Sequence, residues 1–187
     1  MVHGGGWGIG TYQERAKVLS DAGFALDLVI HHESETDFLK QGDFAYRLEP
    51  TWRAWQRNTS GDLQFPPMMQ FDSKTWKHCP QHEDYHAMYD VIRCNLAIIS
   101  KPGGCTLIDS LASATPVILL EPYGYAEARN AEIWQSLDFG LSYEDWRASG
   151  FSMIKLEQLH CNLLNYQQRG VDYSLSYFAD VLALDHV

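Results

Sequence analysis

What this 187-residue sequence has least of is basic charge. Lys and Arg number 14 against 24 Asp and Glu, giving a net charge of −10 with the eight histidines neutral. The cations form no block. Non-specific nucleic-acid binding needs a row of neutralised phosphates, and polybasic membrane binding needs clustered cations, so neither class is expected. Cysteine is scarce too: Cys79, Cys94, Cys105 and Cys161, with no CxxC pair. Free, reduced thiols are the expectation rather than disulfides. No apolar run reaches the ~18 residues of a transmembrane helix. Met1-Val2-His3-Gly4 lacks the pattern of a signal peptide. No internal repeat and no low-complexity tract interrupts the chain. With 45% hydrophobic residues, a single globular domain over residues 1–187 with a real core is expected, soluble and cytoplasmic.

What is present is strand and helix in alternation. Ser100-Lys101-Pro102-Gly103-Gly104-Cys105-Thr106-Leu107-Ile108-Asp109 follows the apolar run Leu96-Ala97-Ile98-Ile99. It reads as a buried strand, a glycine turn and a helix over 105–114. In an open α/β sheet such a junction is where a phosphate or nucleotide binds. Thr106 stands in the first turn, where free amides and the helix dipole favour an anion. Asp109 suits a pair of ribose hydroxyls. A solvent-exposed acid at a helix start is an equally good reading of Asp109.

Upstream, Gly4-Gly5-Gly6-Trp7-Gly8-Ile9-Gly10 separates Met1-Val2-His3 from a helix that opens with Thr11 and Glu14 in capping-box spacing and stops at Gly23. Leu26 to His31 reads as a parallel strand. A glycine loop is a weak signal alone, and no acidic residue ends the second strand as a dinucleotide fingerprint requires. Three residues are few for a strand before such a loop, so the chain is expected to begin partway into a longer protein. Further on, Ala45 to Pro50 suggests a third strand. Thr51 to Phe71 is an aromatic-rich excursion in which Trp52 and Trp55 share one helical face and bury against the domain. His82 and His86 would share a face at the start of a helix over 85–95, a weak metal pattern that a solvent-facing helix start explains equally. Tyr85, Met88, Tyr89 and Ile92 form its stripe. Pro116 to Pro122 is another buried strand, and Tyr123 to Asn130 opens a helix over 127–137. Glu127, Arg129 and Asn130 therefore stand at a strand's carboxyl end. A short strand at 139–143 and helices at 152–169 and 174–184 close the chain, with Leu156, Leu159, Leu163 and Leu164 on one face. The class is α/β: an open, mainly parallel, doubly wound Rossmann-like sheet.

Three of these segments, in order over residues 3–143, resemble the C-terminal, donor-binding half of GT-B glycosyltransferases. The branch is that of the lipid II N-acetylglucosaminyltransferase and the diacylglycerol glycosyltransferases. The segments are the glycine loop at 4–10, the turn at 100–109, which follows the family's K/R-small-G-x-x-T-x-x-E form with Asp109 at its last place, and Pro122 to Asn130. The resemblance implies a nucleotide-sugar site for a UDP sugar. Gly5, Gly6 and Trp7 would line the diphosphate, and Gly103, Gly104, Cys105 and Thr106 would donate amides to it. Asp109 would hold the ribose, though the family has the longer Glu there. Tyr85 would lie at the base, and Glu127, Arg129 and Asn130 at the hexose. It implies no metal and no cofactor beyond the donor substrate. It also implies a partner, because the acceptor site and catalytic base belong to a separate N-terminal domain or subunit that this chain lacks. Two other functions compete. A nucleotide-sugar hydrolase or epimerase of the same fold would need an in-chain base, with His3, His31 and His32 as candidates. A non-catalytic partner-binding module would use the excursion from Trp52 to Phe71.

Overall fold

The computed structural model describes residues 1–169; the helix expected at 174–184 lies outside them. Its core is one strand-like segment, Met1-Val2-His3, with a sheet built outward on both sides. Val2 pairs in parallel with Leu28 on one side and Ile99 on the other. Its amide donates to the Asp27 carbonyl (2.8 Å) and its carbonyl accepts from the Val29 amide (2.9 Å). Beyond Asp27–Val29 (β1) come Phe44–Leu48 (β2), Met68–Phe71 (β3) and Trp76–His78 (β4). On the other side lie Ile98–Ser100 (β5), Val117–Leu119 (β6) and Gly140–Ser142 (β7). β2 runs parallel to β1, and β5, β6 and β7 are parallel to one another. β3 and β4 form an antiparallel hairpin on the outer edge of β2. Taken in chain order, the six parallel segments lie third, second, first, fourth, fifth, sixth. This is the doubly wound dinucleotide-binding order, and its direction of winding reverses between Val2 and β5.

β5 and β6 are buried throughout, because helices cover both faces of a parallel sheet. Alternate residues feed two cores. Val2, Leu28, Ile99 and Ile118 pack with Tyr12, Ala16 and Leu19 of Tyr12–Asp21 (α1) and with Trp146 of Tyr143–Ala148 (α5). Ile98, Val117 and Leu119 pack with Ile92 of Met88–Arg93 (α2) and Leu107 of Gly104–Ser113 (α3). Trp134 of Tyr125–Ser136 (α4) joins them. Met153–Arg169 (α6) contributes Leu156 to the first core and Leu163 to a smaller cluster with Ala114 and Phe139. Leu164, expected on the same face, is more than a third exposed. No helix among the described residues is long and apolar enough to cross a membrane.

Several local expectations differ from the structure. α1 ends where glycine should end it: Phe24 and Gly23 amides donate back to the Leu19 and Ser20 carbonyls, with Gly23 at φ +90°. Its start is different, because Thr11 does not cap it. The Thr11 hydroxyl donates to Glu121 Oε2 instead (2.5 Å). The stretch around Trp52 and Trp55 is a run of turns rather than a helix, and Trp55 is 76% exposed. A helix there would need the apolar face of the domain to lie beneath it, and the hairpin β3–β4 occupies the sheet edge instead. α2 begins only at Met88, so His82 and His86 share no helical face. His82 Nε2 pairs with Asp90 (2.7 Å), while His86 Nε2 lies against the Pro66 carbonyl (3.1 Å). All four cysteines are free.

Candidate functional site

The crevice where the winding reverses opens between the segment after Val2 and the segment after β5. Both are glycine turns. In the first, Gly5–Trp7 forms one 3-10 turn closed by the Gly8 amide on the Gly5 carbonyl (3.2 Å). Gly5 and Gly8 sit at φ +70° and +60°, where a side chain is strained. The Gly5 amide does not face the crevice: it donates to His3 Nδ1 (3.0 Å). His3 is therefore fixed with Nδ1 unprotonated. Burial, then the Met1 ammonium, Lys101 and His31, pull its pKa down to about 4. Gly6 and Trp7 remain exposed at the rim, Trp7 to 85%.

The second turn leaves β5 through Lys101 and Pro102 and enters α3 with an extended Gly103 as its N-cap. The first intrahelical bond there is the Leu107 amide on the Gly103 carbonyl (3.2 Å). The amides of Gly104, Cys105 and Thr106 precede that bond, so they are the orphan donors of the helix end. Gly104 and Cys105 are exposed and Thr106 is buried. Lys101 spans the crevice. Its Nζ lies 3.6 Å from where a Cβ on Gly5 would stand, so the first turn must come close to it. The same Nζ donates to Glu127 Oε1 at 2.7 Å, and both side chains are only about 15% exposed (15% and 16%). Glu127 Oε2 accepts from the Tyr123 amide (2.6 Å). Glu127 Oε1 also lies 3.7 Å from a Cβ position on Gly103.

α4 thus delivers two of its three expected residues. Glu127 reaches the crevice, and Asn130 donates to the Pro102 carbonyl (3.0 Å), tying α4 to the second turn. Arg129 turns away and pairs with Glu132 (2.5 Å) on the exposed side of the helix. Asp109, one turn into α3, is solvent-accessible at its surface, yet surrounding protein pushes its pKa up, with His86 opposing that shift. Tyr85 is on no helix. Its ring stacks on His82 (centroids 4.2 Å apart) and meets Tyr89 edge-on, one residue from the His86 that faces Asp109. Lys101 and Pro102 are therefore joined to α4 by direct contacts and Lys101 lies beside the first turn, while Arg129 stands apart.

The sequence reading did not single out Lys101 as a site residue, although a cation two residues before a glycine pair at a strand end was there to be noticed. Nor did it find Glu35. This buried carboxylate accepts from Tyr12 Oη (2.7 Å) and from the amides of His31 (3.1 Å) and His32 (2.8 Å). It fixes the end of the second parallel strand against α1. His31 Nε2 then lies on the Gly5 carbonyl (3.2 Å). Concavities among the described residues also lie away from the crevice. One sits under the amino ends of the strands, around Leu26, Asp27, Asn95 and Trp146, and another runs along the excursion beside Trp52, Phe65 and Gln81.

The arrangement is suited to gripping an anion between two backbone turns with one cation in hand. Compared with family models, with curated proteins and with solved structures, the chain matches none.

Proposed function

We propose that this chain is the donor-binding half of a GT-B glycosyltransferase. It binds a nucleotide sugar, a UDP sugar by the family likeness, for transfer of the hexose to an acceptor. The acceptor site and the base come from another domain or a partner subunit. One observation carries the reading: two glycine turns meet at the point where the sheet reverses its winding, with Lys101 against Gly5 between them. Brought there, a diphosphate would meet orphan amides of α3 and the Lys101 ammonium. Asp109 would accept from ribose hydroxyls. Asn130 and Glu127 would stand at the hexose, and the reading calls for no metal. The missing half is supported by the rim: Trp7, Tyr123 and Tyr125 are 85%, 72% and 87% exposed around the crevice mouth. The hydrolase or epimerase alternative gains little from His3, a weak base with its Nδ1 already accepting from Gly5.

The test is thermal. A ligand at about 100 times its Kd stabilises by about 2.7 kcal/mol. At roughly 2–4 °C per kcal/mol for a chain of this size, that is a shift of several degrees. UDP or a UDP sugar is expected to raise Tm, and Asp109→Ala to abolish the rise. No shift with any nucleotide at millimolar concentration refutes the reading.

A further inference from the structure

The crevice already holds an anion, and it belongs to the protein. The Glu127 carboxylate has the surroundings expected of a bound phosphate oxygen. It takes an ammonium hydrogen bond from Lys101 (2.7 Å) and a backbone amide from Tyr123 (2.6 Å), and it lies beside the entry to α3. Both partners of the ion pair are largely out of water. Glu127 is also in the first turn of its own helix, α4, so its backbone is fixed while its side chain can turn.

We propose that Glu127 is the resting counter-ion of Lys101, and that a pyrophosphate-bearing ligand takes its place on the ammonium. This rests on the donor-site reading and deepens it. A neutral sugar or nucleoside cannot make the exchange, because it would leave the Lys101 charge unpaired where little water reaches it. A single carboxylate on the ligand would replace like with like. A pyrophosphate carries a second charge for the amides of Gly104 and Cys105, which donate no hydrogen bond to Glu127. The ion pair therefore selects for diphosphate by penalising weaker anions, a discrimination built on what the wrong ligand fails to replace. Once released, the carboxylate stays at the crevice wall and is free to accept hydrogen bonds from sugar hydroxyls. One residue thus guards the empty site and reads the filled one.

Calorimetric titration of the full chain with inorganic pyrophosphate and, separately, with uridine tests this. Glu127→Gln keeps the shape but removes the competing charge and one of the two acceptor oxygens. It is expected to bind pyrophosphate about tenfold more tightly than the unmodified chain, the scale of one charge-assisted hydrogen bond. Its affinity for uridine should not change. In a Lys101→Met background the gain should vanish, because there is no ammonium left to compete for. Pyrophosphate binding by Glu127→Gln no tighter than by the unmodified chain overturns the proposal. So does the same gain with Lys101→Met present, which would mean simple repulsion between like charges. Melting curves confirm that each variant is folded, and Glu127→Ala provides the same comparison if the amide variant is not. Should no form of the chain bind pyrophosphate or UDP, the donor-site reading falls and this proposal with it. Binding by the unmodified chain without a gain in the variants removes this proposal alone.

Discussion

Gly4 and Gly6 stand two residues apart in one loop, and adding a methyl group to each should do opposite things. Gly4 has φ −94°, an angle open to any residue, so Gly4→Ala adds no backbone strain. Its obstacle is space. A Cβ there would stand 2.5 and 2.7 Å from two carbons of the Tyr12 ring and 2.8 Å from the Gly8 carbonyl carbon. Neither neighbour yields easily. Tyr12 is 1% exposed and its hydroxyl is held by Glu35 (2.7 Å), while Gly8 is pressed against the His31 ring. Overpacking of this kind costs about 1–3 kcal/mol. A ring forced aside would also lose a charged hydrogen bond of about 1.5–3 kcal/mol. The reduced freedom of the unfolded chain returns about 0.4–1 kcal/mol. The net is roughly 3 kcal/mol, or a Tm lower by roughly 6–12 °C. Gly6 has no atom within 4 Å of its Cβ position, so Gly6→Ala should keep stability within about 0.5 kcal/mol. It is exposed in the same turn, where the phosphates of the proposed ligand would need the bare backbone. Its UDP-dependent rise in Tm should therefore shrink. Melts of both variants with and without UDP check this. Gly4→Ala melting within a degree of the unmodified chain would refute the packing argument. Gly6→Ala with an undiminished UDP shift would refute the ligand's approach to this loop.

Other outcomes follow from the same geometry. Asp109→Asn should melt no lower than the unmodified chain, because desolvation already disfavours the Asp109 charge, yet it should lose the nucleotide-dependent shift. Alkylation followed by mass spectrometry should show UDP protecting Cys105, in the first turn of α3, but not the exposed Cys94 or Cys161; equal labelling of Cys105 with and without UDP would contradict a phosphate seat there. His3 titrates near 4 in the folded chain against 6.5 when unfolded. Between those values the unfolded chain binds a proton that the native one refuses, so the stability present above pH 6.5 drains away as pH falls towards 4. The window is worth up to roughly 3 kcal/mol at about 1.36 kcal/mol per unit, with a contribution of the same sign from His86. The slope of Tm against pH should flatten in His3→Gln, and an unchanged slope assigns the effect elsewhere.

Much of the fold could be read from the chain because its central strands obey one rule. Ala97-Ile98-Ile99 and Val117-Ile118-Leu119 are apolar without alternation, as strands covered on both faces must be. The glycine pair after the first of them then marks a turn into a helix. The hairpin was harder. Met68–Phe71 carries no period-two pattern and follows two prolines, so nothing local distinguishes it from loop. The helix before β5 was overextended for a related reason: the stripe from Tyr85 to Ile92 fits a helix, but the Met88 amide is taken by His86 Nδ1 (3.1 Å), which starts the helix late.

Side-chain partners were the least readable, and Thr11 shows why. A hydroxyl three residues before a Glu ordinarily caps its own helix with a neutral hydrogen bond. Here a carboxylate 110 residues away offers a stronger acceptor, and the local rule loses. Glu121 also accepts from Arg15 (2.6 Å), so it binds the start of α1 twice. It stands in the loop that leads into α4, whose Glu127 and Asn130 hold Lys101 and Pro102. Three side chains from residues 121–130 thus hold the start of α1, which follows the first glycine turn, and the second turn at Lys101 and Pro102. The turn at 100–109 supplies the amides, while the loop after β6 and the first turns of α4 tie it to the start of α1. Loosening that loop should disturb both walls of the crevice together, whereas a change within either turn should disturb only its own.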